Sequence, residues 1–160
     1  MEQDRLFVEQ DRPFAGYLYI ANRTRELLER FSLATLYFST GGPADWVNTS
    51  QWLSNLSVCL WAHVGCDDNN TVVDLNFTAN GMAGELPSEV GHLIRLKNLS
   101  ITESTLNGTL PSQIGNLVEL NRLIIRKNSL DGRIPSEIGR LLDLTEFSLK
   151  QNRISGKIPT

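Results

Sequence analysis

The sequence predicts an α/β solenoid, a stack of short repeating units closed at its front by a helical cap. Two observations carry that reading. Gly84, Gly108, Gly132 and Gly156 fall 24 residues apart, and Pro87, Pro111, Pro135 and Pro159 keep the same interval three residues later, so four of the six prolines are in phase. Ahead of the first copy lies a stretch with a helical apolar period and no trace of the longer one. A fixed period of roughly 20 to 50 residues decides architecture before local propensity does, because one copy cannot bury its apolar face alone.

Residues 1–24 form a charged N-terminal segment, in which Pro13 is predicted to start a short helix carrying Phe14, Tyr17 and Leu18. Residues 25–71 form the cap. Within it Leu27, Phe31, Ala34 and Phe38 recur at i, i+4, i+7 and i+11, one apolar stripe of a helix that Gly41-Gly42-Pro43 stops. That stripe is expected to cover the open first edge of the solenoid.

The repeats occupy 72–95, 96–119, 120–143 and a shortened copy at 144–160. Three columns of apolar residues keep step: Val72, Leu96, Leu120, Leu144; Leu75, Leu99, Leu123, Phe147; and Phe77, Ile101, Ile125, Leu149. Written as one unit, the repeat reads L-x-x-L-x-L-x-x-N-x-L-x-G-x-I-P-x-x-I-G-x-L-x-x. Its opening alternates with period two, as a strand with one buried face requires. Asn80, Ser104, Asn128 and Asn152 follow, and an asparagine amide can both accept from and donate to the backbone where the chain turns inward. Glycine permits unusual dihedrals and proline pushes its predecessor out of the helical region, so a second extended or turn segment closes each unit.

Composition narrows the function classes. A chain of 160 residues is one domain or little more, which excludes a multi-domain enzyme. With 15 Lys+Arg against 18 Asp+Glu the net charge is −3, and no whole-chain field calls for nucleic acid or an anionic membrane. The longest charge-free stretch, 46–66, is crowded with Asn, Ser, Thr and Gln, so no membrane span is expected. The first thirty residues hold Glu2, Asp4, Arg5, Glu9, Asp11 and Arg12 and no apolar run of signal-peptide length.

The repeat resembles leucine-rich repeats of the plant type, whose L-x-G-x-I-P signature stands here as Leu130, Gly132, Ile134 and Pro135. The front resembles the N-terminal cysteine cap of those proteins: Trp46, Trp52 and the segment Cys59, Trp61, His63, Val64, Gly65, Cys66 follow C-x-W-x-G-V-x-C, with His63 at the usual glycine. The run 30–42 is similar to the leading helix of algal members. The resemblance implies a parallel sheet on the concave face of the solenoid, and ligand binding there. It also implies that Cys59 and Cys66, the two cysteines of the chain, are paired. The residues alone leave two buried thiols or a metal site recruiting His63 open, although structural zinc wants four ligands and His92, the other histidine, falls in a repeat loop.

Asn22, Asn48, Asn55, Asn69, Asn76, Asn98 and Asn107 each begin an Asn-x-Ser/Thr sequon. Random order of 13 Asn and 24 Ser+Thr in this length would give about two. The excess, with a cysteine pair, points to an oxidising, extracellular or cell-surface location, which places a signal or anchor outside these residues. The dull reading is that Asn, Ser and Thr are simply favoured in strands and turns of the repeat.

Four rows cross the expected concave face in register: Asp74, Asn98, Arg122, Glu146; Asn76, Ser100, Ile124, Ser148; Thr78, Thr102, Arg126, Lys150; and Ala79, Glu103, Lys127, Gln151. The later half gathers Arg122, Arg126, Lys127 and Lys150 around an Ile124 expected to be exposed, with Glu146 beside Arg122. Arginine around an apolar centre is what binding patches favour, and charged side chains merely solubilising a sheet would look the same. No phosphate-cradling loop or catalytic triad context occurs, so no cofactor, metal or catalytic residue is expected. The reading is therefore an extracellular recognition module for a protein, peptide or glycan ligand, part of a receptor-like or secreted protein. The alternative is a structural or adhesive, glycosylated wall or surface protein. The last copy has no polar closing segment, so a continuation beyond residue 160, and self-association at the uncapped end, are expected.

Overall fold

The structure, a computed structural model, describes residues 13–157, with side chains from residue 21 onward. The charged tail before Pro13, the side chains of Phe14, Tyr17 and Leu18, and Ile158 and Pro159 lie outside the described residues.

A single helix, α1, runs Pro13–Ser39. The two helical segments expected from the sequence are thus one, and the boundary placed between residues 24 and 25 falls inside it. The inward face of α1 is not the expected one. Leu27, Phe31 and Phe38 are 62%, 55% and 61% exposed, whereas Glu29, Ser32, Leu33, Leu36, Tyr37 and Thr40 are buried. Both stripes have helical period, and polarity alone selects the wrong one. The backbone partners most of the buried polar groups: the Ser32 hydroxyl donates to the Leu28 carbonyl at 2.8 Å, that of Thr40 to Leu36 at 2.6 Å, and the Val72 N–H donates to Glu29 Oε1 at 3.2 Å, while Glu29 Oε2 has no hydrogen-bond partner among the described residues. Burial pushes the Glu29 carboxyl above its ordinary range, against the opposing pull of that Val72 N–H and of the Arg25 charge.

A short helix, α2 (Gly42–Asp45), follows. The main sheet consists of β1 (Val64–Cys66), β2 (Val72–Thr78), β4 (Asn98–Thr102), β6 (Arg122–Arg126) and β7 (Glu146–Ser148), in that order. Strands β2, β4, β6 and β7 are parallel, and paired residues stand 24 apart, as Asp74 with Asn98, Asn98 with Arg122, and Arg122 with Glu146. The cap contributes β1, antiparallel to β2. The first edge of the sheet is therefore closed by a strand, while α1 lies beside β3 (Ala83–Glu85) and the 3₁₀ turn Ser88–His92 and closes the interior. β3 pairs in parallel with β5 (Thr105–Asn107) as a second, two-stranded sheet, and a 3₁₀ turn follows the in-phase proline in each full copy: Ser88–His92, Ser112–Asn116 and Ser136–Arg140.

The asparagine slot works as its chemistry requires. Asn128 donates to the carbonyls of Ile101 and Arg126 and accepts from the Leu106 N–H; Asn152 repeats this with Ile125, Leu149 and Leu130. The in-phase glycines sit between φ +67° and +106°, where a side chain is strained. Between the two layers one apolar core runs from Leu33 to Leu141. At its front Tyr37, Trp46, Trp52, Trp61 and Phe77 form a chain of ring contacts 4.7–6.1 Å between centroids, and Arg30 lies over Trp61. No helix of the described residues is long and apolar enough to cross a membrane.

Candidate ligand-binding face

Strand alternation sends Leu75, Phe77, Leu99, Ile101, Leu123 and Ile125 into the core, and their neighbours to the other face of the sheet. On that face the first two rows read from the sequence, and the third as far as Arg126, lie in the expected register, while Ala79, Glu103, Lys127 and Gln151 of the fourth follow the strands. The charges of the face are largely neutralised within the chain. Arg122 Nε lies 3.0 Å from Glu146 Oε2, and Arg126 Nη2 3.7 Å from Glu146 Oε1. Lys127 Nζ donates to Glu103 Oε1 at 2.6 Å, and this bond first, the lysine charge second, holds the Glu103 carboxyl below its ordinary range. Lys150 is exposed, with no anion at ion-pair distance among the described residues.

Ile124 departs from expectation: it is 2% exposed. It stands outside the core cluster, on the ligand side of the sheet. Arg122 and Arg126 flank it on the same face, and both reach across to Glu146 of the next strand. The candidate patch therefore has ion-paired arginines on either side of a buried isoleucine and no open apolar centre.

Cys59 and Cys66 are bonded, with Cα atoms 5.6 Å apart. This withdraws both thiolates from the metal reading, and no cluster of metal-ligating side chains occurs among the described residues. His63, between them, takes φ +70° where the family pattern has glycine. Its Nδ1 faces the Asn76 carbonyl at 2.9 Å, so that nitrogen carries the hydrogen and donates. The ring packs 5.2 Å from Phe77.

Six of the sequon asparagines, Asn22, Asn48, Asn55, Asn69, Asn76 and Asn107, are exposed. Asn98 is half-buried, and its Nδ2, the atom a glycan would take, donates to Asp74 Oδ2 at 2.7 Å. Where β1 meets the sheet, a recess lined by His63, Val64, Gly65, Asp74, Asn76 and Thr78 opens on the concave face. Asp74 stood in the first row of the sequence reading without being singled out. Its place became visible only with the pairing of Gly65 to Asp74, which no periodicity encodes.

No family model matches the chain. A 52-residue stretch, 31% of the chain and 5% of the relative, is 40% identical to the leucine-rich repeat receptor-like protein kinase PEPR1 of Arabidopsis thaliana. Among solved structures, the PEPR1–AtPEP1 complex superposes with a TM-score of 0.76 at 29% identity, over 81% of this chain and 19% of that one. The Arabidopsis receptor kinase HAESA, in complex with the peptide hormone IDA and the co-receptor SERK1, gives 0.72 at 27% identity, over 81% and 22%. The ectodomain of the Arabidopsis receptor kinase SOBIR1 gives 0.66 at 21% identity, over 82% and 68%, a likeness of fold alone. The chain spans less than a quarter of the PEPR1 and HAESA chains. With its 24-residue register and cysteine-bonded cap, the chain has the leucine-rich repeat fold of the plant receptor ectodomains it resembles.

Proposed function

We propose that the chain is a recognition module that binds a peptide or protein ligand on the concave face of its sheet, at the outside of the cell. The observation that carries this is the ion-paired set of Arg122, Glu146 and Arg126 beside Lys127 and Lys150, a cluster of donors held in fixed register on rigid strands. Four parallel strands at about 4.8 Å spacing give a face roughly 19 Å wide, the length of about six extended residues, which suits a short peptide better than a whole protein surface. Guanidinium groups favour a carboxylate-bearing partner, because each can donate two parallel bonds. The HAESA structure superposed above is a complex with the peptide hormone IDA, which supports the reading. The disulfide and the exposed sequons support an extracellular setting.

An array of acidic peptides tests it. Saturable binding should weaken at least tenfold, about 1.4 kcal/mol, in the double variant Arg122→Ala, Arg126→Ala. Ile124 substitutions should act through stability instead, because the side chain is covered. The adhesive reading is favoured by the six exposed sequons alone. Attachment that ignores both arginines and disappears on enzymatic glycan removal would establish it and overturn peptide recognition.

A further inference from the structure

We propose that the recess between β1 and β2 is a subsite for an organic cation, a primary ammonium or a guanidinium group, held by the Asp74 carboxylate. The inference rests on the concave face being the ligand-binding face, and deepens it by naming the chemistry at its cap end. The concave charges separate into two kinds. Glu103, Arg122, Arg126, Lys127 and Glu146 are ion-paired within the chain. Asp74 has no cation at ion-pair distance among the described residues, although it lines the recess and is half-buried. One of its oxygens accepts from Asn98 Nδ2, which fixes the carboxylate and leaves most of its acceptor positions unused.

The surroundings are built around that group. Gly65 stands directly opposite Asp74 in the β1–β2 pair, and a β-carbon there would come within 2.9 Å of Asp74 Cβ, so glycine makes the space in which the aspartate sits. The side chains of Asn76 and Thr78 add further oxygens: Asn76 Oδ1 meets only a 3.5 Å contact from the Thr78 hydroxyl. His63 donates its Nδ1–H to the backbone carbonyl of Asn76. A shallow, open recess with one uncompensated carboxylate favours a compact group rich in N–H donors, and a charge-assisted bond there is stronger than a neutral one. A metal ion would need several hard ligands, and the recess offers one carboxylate.

The geometry gives a ligand polarity as well. Asp74 on β2 and Arg122 on β6 share one row, two strand spacings apart, roughly 10 Å, or about three extended residues. A peptide crossing the strands with a basic residue about three positions from an acidic one meets both ends of the face.

The test uses the full chain made without glycans, since a sugar on Asn76 would fill the recess. The protein is titrated with N-acetylarginine amide, and separately with its neutral analogue N-acetylcitrulline amide, while backbone amide shifts are followed by NMR. Saturable shifts at Gly65, Asp74, Asn76 and Thr78 are expected with the arginine compound alone. Asp74→Asn, which keeps an oxygen for Asn98 and an unchanged spectrum elsewhere, should raise the dissociation constant at least tenfold. A flat titration, an equal response to the citrulline compound, or an Asp74→Asn curve matching the parent would overturn the subsite. Its failure is separable from that of the wider reading. A silent recess in a chain whose peptide binding still needs Arg122 and Arg126 removes the subsite alone. Arginine shifts in a chain whose peptide binding ignores those residues support the subsite and remove the wider reading.

Discussion

His63 shows how a single position can be recognisable in sequence while its conformation is not. The cap pattern has glycine there, and the histidine keeps the glycine-like backbone at φ +70°. A left-handed conformation costs an L-residue roughly 1–2 kcal/mol, and here the cost is offset by the bond from Nδ1 to the Asn76 carbonyl and by packing on Phe77. Replacing the ring with Ala or Gly removes both gains equally, so the difference between the two variants isolates the backbone term. His63→Gly should therefore be more stable than His63→Ala by about 1 kcal/mol, the reverse of the usual order of those residues. Urea midpoints that place Ala above Gly would show that the position carries no strain. Ile124 makes the complementary point: its row was legible from the period, but its burial was not, because burial on this face is set by side-chain contacts across neighbouring strands that no period encodes.

At the scale of the element, the repeat is held by close approach of its turns as much as by its strands. The second repeat glycine illustrates this. A β-carbon on Gly115 would lie 2.5 Å from Glu137 Cβ and from the Glu137 carbonyl oxygen of the next copy, whereas one on Gly139 would meet nothing within 4 Å. Gly115→Ala should destabilise by about 1–3 kcal/mol through overpacking. Gly139→Ala should be neutral or stabilise by up to about 1 kcal/mol, since it restricts the unfolded chain without a clash. Equal effects of the two substitutions on the denaturation midpoint would refute the packing argument. The same scale shows where sequence reading fails. The strands, the asparagine slot and the turns after each proline were legible because every copy restates them. The helix α1 is stated once, and its two candidate faces differ by which polar groups the backbone happens to satisfy. Ser32 and Thr40 bond to carbonyls four residues back and Glu29 meets the Val72 N–H, so the face with polar residues went inward and Leu27, Phe31 and Phe38 outward. The strand β1 was equally unannounced, since three residues in a cysteine loop carry no periodic signal.

For the whole molecule the two ends of the stack differ, and the difference has a consequence in solution. At the front the sheet is closed by β1, and the core by α1 and the aromatic chain from Tyr37 to Phe77. At the other end, among the described residues, β7 pairs in the main sheet only with β6, which leaves its other edge without a strand partner there. The apolar residues behind it are incompletely covered: Phe147 is 37% exposed, and Leu144, Leu149 and Ile154 are half-buried. An open strand edge backed by uncovered apolar side chains is a template for pairing with another chain. The isolated 160-residue protein should therefore self-associate through β7, with a sedimentation coefficient that rises with concentration. A charge at the middle of that edge, Phe147→Lys, should shift the distribution to monomer, because pairing would bury an uncompensated ammonium. A change at the capped end that leaves β7 intact, such as Phe38→Lys on the outer face of α1, should leave the association unchanged. Sedimentation showing a monomer at all accessible concentrations would refute association through β7, and association abolished by Phe38→Lys but insensitive to Phe147→Lys would move the interface from the sheet edge to the helix.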